Sequence, residues 1–186
     1  HLSLRRQRQM CIRDRINAIL KLSREGRRVL APEMIALDQL AEQITDAIRH
    51  VIDDRGVTVT IERPMPVIVS DRIALEQILS NLIENATKYR HPTRAAEVHI
   101  SAEETRGRVI VAVRDNGRGI DPRDHQRIFD LFRRSGQQDQ PGEGIGLAHV
   151  RALAYRLGGT ISVESQLGEG ATFFLSLPPS LSIESA

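Results

Sequence analysis

The apolar positions of residues 16 to 55 follow a helical period. Ile16, Ile19 and Leu20 recur at the spacing of one helix face, which predicts a helix to about residue 29. Pro32 interrupts this pattern, and a second helix is predicted to follow it, with apolar positions from Leu37 onward, until Gly56. Its apolar face comprises Leu37, Leu40, Ala41, Ile44, Ile48 and Val51. This part of the chain is therefore predicted to be helical.

From residue 57 the apolar period changes to two. Residues 57–61 alternate as a half-buried strand, and residues 66–69 form a second short strand. Asp71 then has the position and side chain of a helix N-cap. The long helix that it opens carries a buried stripe at helical spacing: Leu75, Ile78, Leu79, Leu82, Ile83 and Ala86.

The remaining elements complete an α+β order. A strand pair is predicted over residues 97–102 and 108–114, and a short helix near residues 123–132. A helix from Gly144 to Leu157 ends at a glycine pair. The last two strands cover residues 160–165 and 171–177, with Phe174 and Leu175 expected in the core. This order predicts a two-layer α/β sandwich, with a mixed sheet covered by helices on one face.

Composition limits the class of protein. The chain has 186 residues, enough for one core, and its single cysteine, Cys11, excludes a disulfide framework. The longest apolar run is far shorter than the roughly 18 residues of a membrane span, and no signal pattern is visible. We expect a cytoplasmic protein with no membrane span in this chain. The net charge of +2 gives no indication of nucleic-acid binding.

The positive charge is concentrated at the amino terminus. Residues 1–30 carry nine basic residues against Asp14 and Glu25. Residues 1–15 lack a helical or strand period and resemble a translated sequencing adapter, so we predict a disordered or non-native arm. A nucleic-acid or membrane patch is the alternative interpretation.

The long helix carries a polar stripe opposite its apolar one. Asn81, Glu84, Asn85 and Lys88 recur at intervals of three and four and share one face. Amide oxygens, a carboxylate and a cation together suit a metal–phosphate ligand. A solvated face with an ordinary Glu84–Lys88 ion pair is the simpler alternative.

Two glycine-containing segments follow the central strands. Asp115 stands at a strand end before Gly117 and Gly119, which places an acceptor beside backbone that a flat ligand can approach closely. A plain turn explains the same residues. Farther along, Gly-x-Gly-x-Gly opens a helix, where exposed N–H groups can bind phosphates. That segment comprises Gly142, Gly144, Gly146 and Leu147.

The polar segment of residues 133–141 lies between these two. It holds no large apolar residue, and Phe129 and Phe132 precede it. This pattern predicts a mobile lid with aromatic residues at its base. No strand immediately precedes the Gly-x-Gly-x-Gly segment and no Gly-Lys-Ser/Thr occurs, so Rossmann and P-loop sites fit poorly.

The order of these segments resembles a known family. The asparagine helix, Asp-x-Gly-x-Gly, Phe-x-x-Phe, Gly-x-Gly-x-Gly and Gly-x-Gly-x-Thr occur in sequence between residues 57 and 178. They resemble the ATP-binding domain of sensor histidine kinases, within the gyrase, chaperone, histidine kinase and MutL superfamily. That resemblance implies a Bergerat-type fold with a mainly antiparallel sheet. Residues 81–92 resemble the phytochrome-associated branch.

The resemblance also implies a role for each matching residue. Asn85 would ligate Mg²⁺ with Asn81 beside it, Glu84 would assist proton removal, Lys88 would contact phosphate and Tyr89 would lie at the nucleotide rim. Asp115 would accept a hydrogen bond from the adenine amino group. The base pocket and the phosphate segment would be completed by Gly117, Gly119, Ile120, Gly142, Gly144, Gly146, Leu147 and Thr172.

The acceptor histidine of this family has no counterpart in the sequence. Its usual context, a following acidic residue, Leu, Arg and Pro, occurs at none of the six His, and His50 fits a structural or exposed role better. We therefore predict residues 16–54 to be the second helix of a dimerisation hairpin, 57–178 the ATP-binding domain and 179–186 a tail. The acceptor helix is expected to be missing.

These assignments define the implied partners and an alternative. The full-length protein would be a homodimer that binds ATP and Mg²⁺ and passes its phosphoryl group to the receiver domain of a response regulator. The alternative is a nucleotide-binding module without kinase output, or a kinase of protein Ser like the anti-sigma kinases of the same superfamily.

Overall fold

A computed structural model describes residues 16, 19, 20, 23, 26–131 and 144–182. The strands are β1 (Pro32–Ala36), β2 (Val57–Ile61), β3 (Val67–Asp71), β4 (Ala96–Thr105), β5 (Arg108–Asp115), β6 (Thr160–Gln166) and β7 (Gly170–Leu177). The helices are α1 (Leu37–Ala47), α2 (Arg49–Arg55), α3 (Arg72–Lys88) and α4 (Gly146–Arg156). Two 3-10 turns, Pro122–Asp124 and Arg127–Phe129, follow β5, and the described residues from 16 to 26 are helical.

One five-stranded sheet organises the fold, in the order β2-β4-β5-β7-β6. The β2–β4 pair is parallel and the other three pairs are antiparallel. Alternate residues of β5 and β7 point into the core, where Val111 and Leu175 are fully buried. Helices cover that face, as the α+β pattern predicts. Among the described residues, no helix is both long and apolar enough to cross a bilayer.

Helix α3 forms as the sequence predicts. Its stripe of Leu75, Ile78 and Leu82 is at most 1% exposed. The Asp71 side chain caps the helix by accepting a hydrogen bond from the Ala74 N–H at 2.8 Å. The polar stripe is left on the opposite side, where it can face a ligand.

The sequence predicts two helices within residues 16–54 with a break at Pro32, but this helical assignment misses a strand over residues 32–36. These residues form β1, which pairs antiparallel with β3 in a separate two-stranded sheet. Its Ile35 lies opposite Ile68, and both side chains are at most 1% exposed. The pairing of β1 with β3 therefore buries one isoleucine from each strand. The following helix is divided at Ile48 into α1 and α2, and both contribute buried residues to the core of the sheet domain.

Two smaller expectations also change. The short helix near residues 123–132 is a pair of 3-10 turns, within the described residues up to 131. Phe174 is half-buried on the outer face of the sheet, whereas its neighbour Phe173 is in the core and meets Phe129 edge to face at 6.3 Å.

The Asp71 carboxylate joins three parts of the chain. Both its oxygens accept from the Arg28 guanidinium, and the Ala31 N–H donates to Oδ2 at 2.8 Å. Arg156, at the end of α4, donates to the Arg28 carbonyl. Burial works to raise the pKa of Asp71, but these hydrogen bonds outweigh it, and the net pKa is lowered.

Replacing Arg28 with leucine is expected to destabilise the fold. Loss of hydrogen bonds to a buried carboxylate costs about 1–3 kcal/mol. Because the pKa of Asp71 is lowered in the folded protein, this stabilisation is present above the ordinary aspartate pKa of about 3.9 and is lost as the pH falls through the lower folded value. Denaturant unfolding should show a difference in the free energy of unfolding between Arg28→Leu and the parent at pH 7. This difference should become smaller in acid.

A matched control for that prediction is Arg123→Leu, which removes an exposed ion pair with Asp121. We expect little change in the free energy of unfolding, because exposed pairs contribute little. An Arg28→Leu variant as stable as this control at pH 7 would contradict the role given to the Arg28–Asp71 pair.

Candidate functional site

The polar stripe of α3 lies beside the start of α4. Asn81, Asn85 and Lys88 are half-buried and Glu84 is exposed. The Asn81 Nδ2 donates to the Gln77 carbonyl at 3.3 Å, which directs its Oδ1 away from that carbonyl. The helix therefore presents two amides, a carboxylate and an ammonium group along one side, as the spacing predicts.

Close contact with α4 requires glycine at Gly146. A Cβ atom placed there would lie 2.4 Å from the Asn81 Oδ1, well inside van der Waals contact. Gly144, two residues earlier, adopts a left-handed φ of 71°. The missing side chain at Gly146 thus lets the first turn of α4 approach Asn81 on the polar stripe of α3. A helix N-terminus in this position favours anions.

A cavity of about 300 Å³ opens between these two helices. It is lined by Ile73, Glu76, Gln77, Ser80, Asn81, Glu84 and His149. His149, on the first turn of α4, is only 8% exposed. The predicted residues Asn81 and Glu84 thus share one cavity, whereas the other lining residues were not predicted as site residues.

Asp115 forms a second polar centre at the end of β5. Its Oδ1 accepts a hydrogen bond from the Gly117 N–H at 2.8 Å. Burial raises the pKa of Asp115 to about 6, although the Gly117 and Ala171 N–H groups act in the opposite direction. A half-buried carboxylate with a raised pKa gains from a ligand that donates a hydrogen bond to it.

The loop after Asp115 is packed too closely for side chains at its glycines. A Cβ at Gly117 would lie 2.2 Å from the Tyr89 carbonyl oxygen. Gly119 has a φ of 69°, and a Cβ there would lie 2.0 Å from the Gln166 carbonyl oxygen. The Ile120 N–H donates to the Ser165 Oγ at 2.8 Å. The loop is therefore fixed between the end of α3 and the turn joining β6 to β7.

Tyr89 connects this loop to the polar stripe. The Arg118 N–H donates to the Tyr89 carbonyl at 3.1 Å. The Arg118 guanidinium lies 4.8 Å and the Lys88 Nζ 5.3 Å from the centre of the Tyr89 ring, both within cation–π range. Arg118 was not predicted as a site residue, and nothing in its sequence context indicates that it stacks on Tyr89.

The structure does not bring Thr172 to Asp115. In the β5–β7 register Asp115 lies opposite Ala171, and Thr172 lies opposite Arg114. Successive strand residues point to opposite faces, so Thr172 lies on the outer face of the sheet and Asp115 on the helix face. Thr172 therefore does not share a face with Asp115, and its contact with adenine stays a prediction.

The remaining predicted residues divide into two groups. Ile120 packs against the core, and the half-buried Leu147 follows Gly146 in the first turn of α4. Gly142, Phe132 and the predicted lid of residues 133–141 lie outside the described residues.

The side chains of the polar stripe suit a metal ion that is bound together with a phosphate ligand. No group of three His, Cys, Asp or Glu side chains within the described residues could hold a metal ion. Asn81 nevertheless offers an amide oxygen beside the N-terminus of α4, and Asn85 lies one turn farther along the same stripe. Mg²⁺ in phosphate-binding sites characteristically takes few protein ligands and completes its shell with phosphate oxygens and waters. The residues present therefore fit a Mg²⁺–phosphate ligand better than a free metal ion.

Comparison with known proteins identifies related sequences. Residues 70–181 match the family described as "Histidine kinase-, DNA gyrase B-, and HSP90-like ATPase". Cyanobacterial phytochrome A of Nostoc sp. (strain PCC 7120) is 35% identical over 164 residues, covering 88% of this chain and 21% of that protein. Alginate biosynthesis sensor protein KinB of Pseudomonas aeruginosa is 34% identical over 168 residues, covering 88% of this chain and 28% of that protein. The chain thus spans less than a third of either relative.

Solved structures share the fold. Full-length ShkA, crystallised in complex with AMPPNP, superposes with a TM-score of 0.77 at 30% identity, covering 91% of this chain and 36% of that one. The catalytic domain of the histidine kinase ThkA gives a TM-score of 0.68 at 20% identity, covering 82% of this chain and all of that one. The second likeness concerns the fold alone. Both agree with the α+β sandwich predicted from the sequence.

Proposed function

Because this chain belongs to the family of histidine kinase-, DNA gyrase B- and HSP90-like ATPases, we propose that it is the ATP-binding catalytic portion of a sensor histidine kinase. Such an enzyme transfers the γ-phosphoryl group of ATP to a histidine. The observation that carries the proposal is the joining of two centres in one fold: the Asp115 carboxylate, with its raised pKa, and the amide stripe of α3 beside the start of α4.

The Asp115 centre suits the adenine base. Its carboxylate would accept from the exocyclic amino group, while Gly117 and Gly119 hold the loop after Asp115 close against the Tyr89 and Gln166 carbonyls and so would fix the edge of the base pocket. Ile120 would supply an apolar contact, and the Tyr89 ring would lie at the rim. The arrangement proposed here is built without Thr172, which lies on the other face of the sheet from Asp115.

The stripe of α3 suits the phosphates. Asn85, with Asn81 beside it, would hold Mg²⁺, which supplies charge neutralisation between phosphate oxygens when bound. Lys88 would contact a phosphate, and the exposed Glu84 would take a proton from the acceptor imidazole. The phosphate-binding segment would comprise Gly142, Gly144, Gly146 and Leu147.

The surroundings of this domain follow from the same proposal. Its acceptor would lie on a separate helical hairpin, for which the exposed apolar residues Ile16, Ile19 and Leu20 are suited as a packing face. The full-length protein would be a cytoplasmic-facing homodimer that passes the phosphoryl group to a receiver domain. Residues 32–55 belong structurally with the sheet domain, so the hairpin portion would end before β1.

Binding and transfer test the proposal separately. Calorimetry should show that the chain binds ATP more tightly with Mg²⁺ than without it. Incubation with labelled Mg-ATP should leave the chain itself free of acid-labile label, since no histidine stands in an acceptor context. A separately supplied acceptor hairpin should become labelled when it is added.

Three outcomes would contradict parts of this proposal. Absence of ATP binding would contradict the nucleotide site. Label on His50 of the isolated chain would contradict a separate acceptor. A hairpin that stays unlabelled, or an acid-stable label on a protein Ser, would favour the binding-module or anti-sigma-type alternative.

A further inference from the structure

His149 is a buried titratable residue to which the proposed function assigns no role. It lies on the first turn of α4, is 8% exposed and lines the cavity between α4 and α3. Its position in the sequence gave no signal, because a lone histidine in an apolar helix more often has a structural role. Its place in the cavity sets it apart from the half-buried His91, His99 and His125.

The cavity needs a donor if it is to hold a phosphate. Its two ionisable acids, Glu76 and Glu84, would repel an anion, and one N–H of the Asn81 amide already donates to the Gln77 carbonyl. The other neutral donors of the lining are the second Asn81 N–H and the side chains of Gln77 and Ser80. The imidazole of His149 is the one lining group that can carry a positive charge. A histidine also retains at least one N–H donor in either protonation state.

The position of the cavity along α3 indicates which phosphate it would hold. The Asp115 loop contacts the end of this helix at Tyr89. With a rise of about 1.5 Å per residue, Asn81 lies about 12 Å and Gln77 about 18 Å from Tyr89 along the axis. A nucleotide with its base at Asp115 would therefore reach the cavity only with the end of its phosphate chain.

The volume of the cavity agrees with such a ligand end. Its volume is about 300 Å³. That space accommodates a phosphoryl group with its remaining waters. It is at the lower limit for a pocket that encloses a whole small-molecule ligand.

We propose that His149 is a specificity-determining residue that donates a hydrogen bond to the terminal phosphate of a nucleoside triphosphate and so favours the triphosphate over the diphosphate. This inference rests on the proposed nucleotide-binding function and adds a residue to it. His149 would complement Lys88, which lies at the opposite end of the stripe, toward the base.

Affinities for ATP and ADP test this assignment. In calorimetry with Mg²⁺, His149→Leu should weaken ATP binding about tenfold or more, because a hydrogen bond to a charged group is lost. ADP binding should change less than about twofold. His149→Gln retains an N–H donor of similar reach and should recover part of the preference for ATP. The exposed His50→Leu on α2 is the matched control and should match the parent for both nucleotides.

The outcomes separate this inference from the proposed function. If the parent binds neither nucleotide, the proposed function fails. If the parent binds ATP and His149→Leu changes ATP and ADP affinity by the same factor, or changes neither, the assignment of His149 is overturned while the nucleotide site stands. Circular dichroism melting confirms folding, and if the leucine variant does not fold, an unchanged ATP-to-ADP affinity ratio in His149→Ala, which also lacks a side-chain donor, overturns it equally.

Discussion

Replacing Asn85 with alanine is expected to abolish phosphoryl transfer to a supplied acceptor hairpin. Asn85 is the residue proposed to hold Mg²⁺, and it lies half-buried on the stripe of α3. Charge stabilisation by a bound metal ion contributes several kcal/mol to phosphoryl transfer, so we expect a loss of about a hundredfold or more in the rate of labelling. The dependence of ATP affinity on Mg²⁺ should disappear with it.

The fold should tolerate this substitution. Alanine has the highest helix propensity, and the buried stripe of α3 is on the other side of the helix. The matched control is Gln39→Ala, which removes an exposed amide from α1, away from the proposed site. Asn85→Ala with parental labelling and an unchanged response to Mg²⁺ would show that the metal is held elsewhere.

The sequence was sufficient for the elements whose period is long and regular. The stripe and cap of α3 were visible because one face of a seventeen-residue helix is buried and Asp71 is a strong N-cap. The sequence pattern did not predict strand β1. Its five residues begin with Pro32, and only pairing with β3 buries Ile35. A short strand of this kind depends on a partner distant in sequence, which local periodicity does not identify.

The phase of β7 illustrates a second limit. Phe173 and Phe174 are both apolar, so alternation alone does not say which one faces the core. The register with β5 determines which one is buried. Phe173 lies opposite Val113, whose side chain is in the core, so Phe173 faces the core and Phe174 faces outward. The same register turns Thr172 outward. An error of one residue in phase moves every side chain to the other face of the sheet.

The site was predicted as a set of segments but not as an arrangement. The order of the motifs identified Asn81, Asn85 and Asp115 as candidates. It did not show that Arg118 stacks on Tyr89 or that His149 enters the cavity beside Asn81. These contacts join α3 to the loop after β5 and to α4, and they arise only when the sheet has brought the three segments together.

Replacing Asp115 with asparagine is expected to weaken ATP binding about 5- to 150-fold. The substitution preserves size but replaces one acceptor oxygen with a donor that would face the adenine amino group. A mispaired buried polar group costs about 1–3 kcal/mol, which corresponds to that range of affinity. Calorimetry at pH 7 measures the loss directly, and GTP, which lacks the adenine amino group, should be far less affected than ATP.

Without bound nucleotide, the Asp115→Asn variant should have a free energy of unfolding at pH 7 at least as large as that of the parent. The pKa of Asp115 is raised to about 6 in the folded protein, above its unfolded value. The folded state therefore binds more protons than the unfolded state between about pH 4 and pH 6, so ionisation of Asp115 lowers the free energy of unfolding as the pH rises through that interval. Asparagine removes this cost, and denaturant unfolding of the two proteins would reveal it.

The same raised pKa predicts how ATP affinity depends on pH. The ionised carboxylate is the form that accepts from the adenine amino group, and at pH 5 only about a tenth of a group with a pKa of about 6 is ionised. ATP affinity of the parent should therefore rise up to about tenfold between pH 5 and pH 7 through Asp115 alone. The pH dependence left in Asp115→Asn belongs to other groups, the nucleotide phosphates among them. Identical pH profiles for the two proteins, or equal losses of ATP and GTP affinity, would place the base away from Asp115.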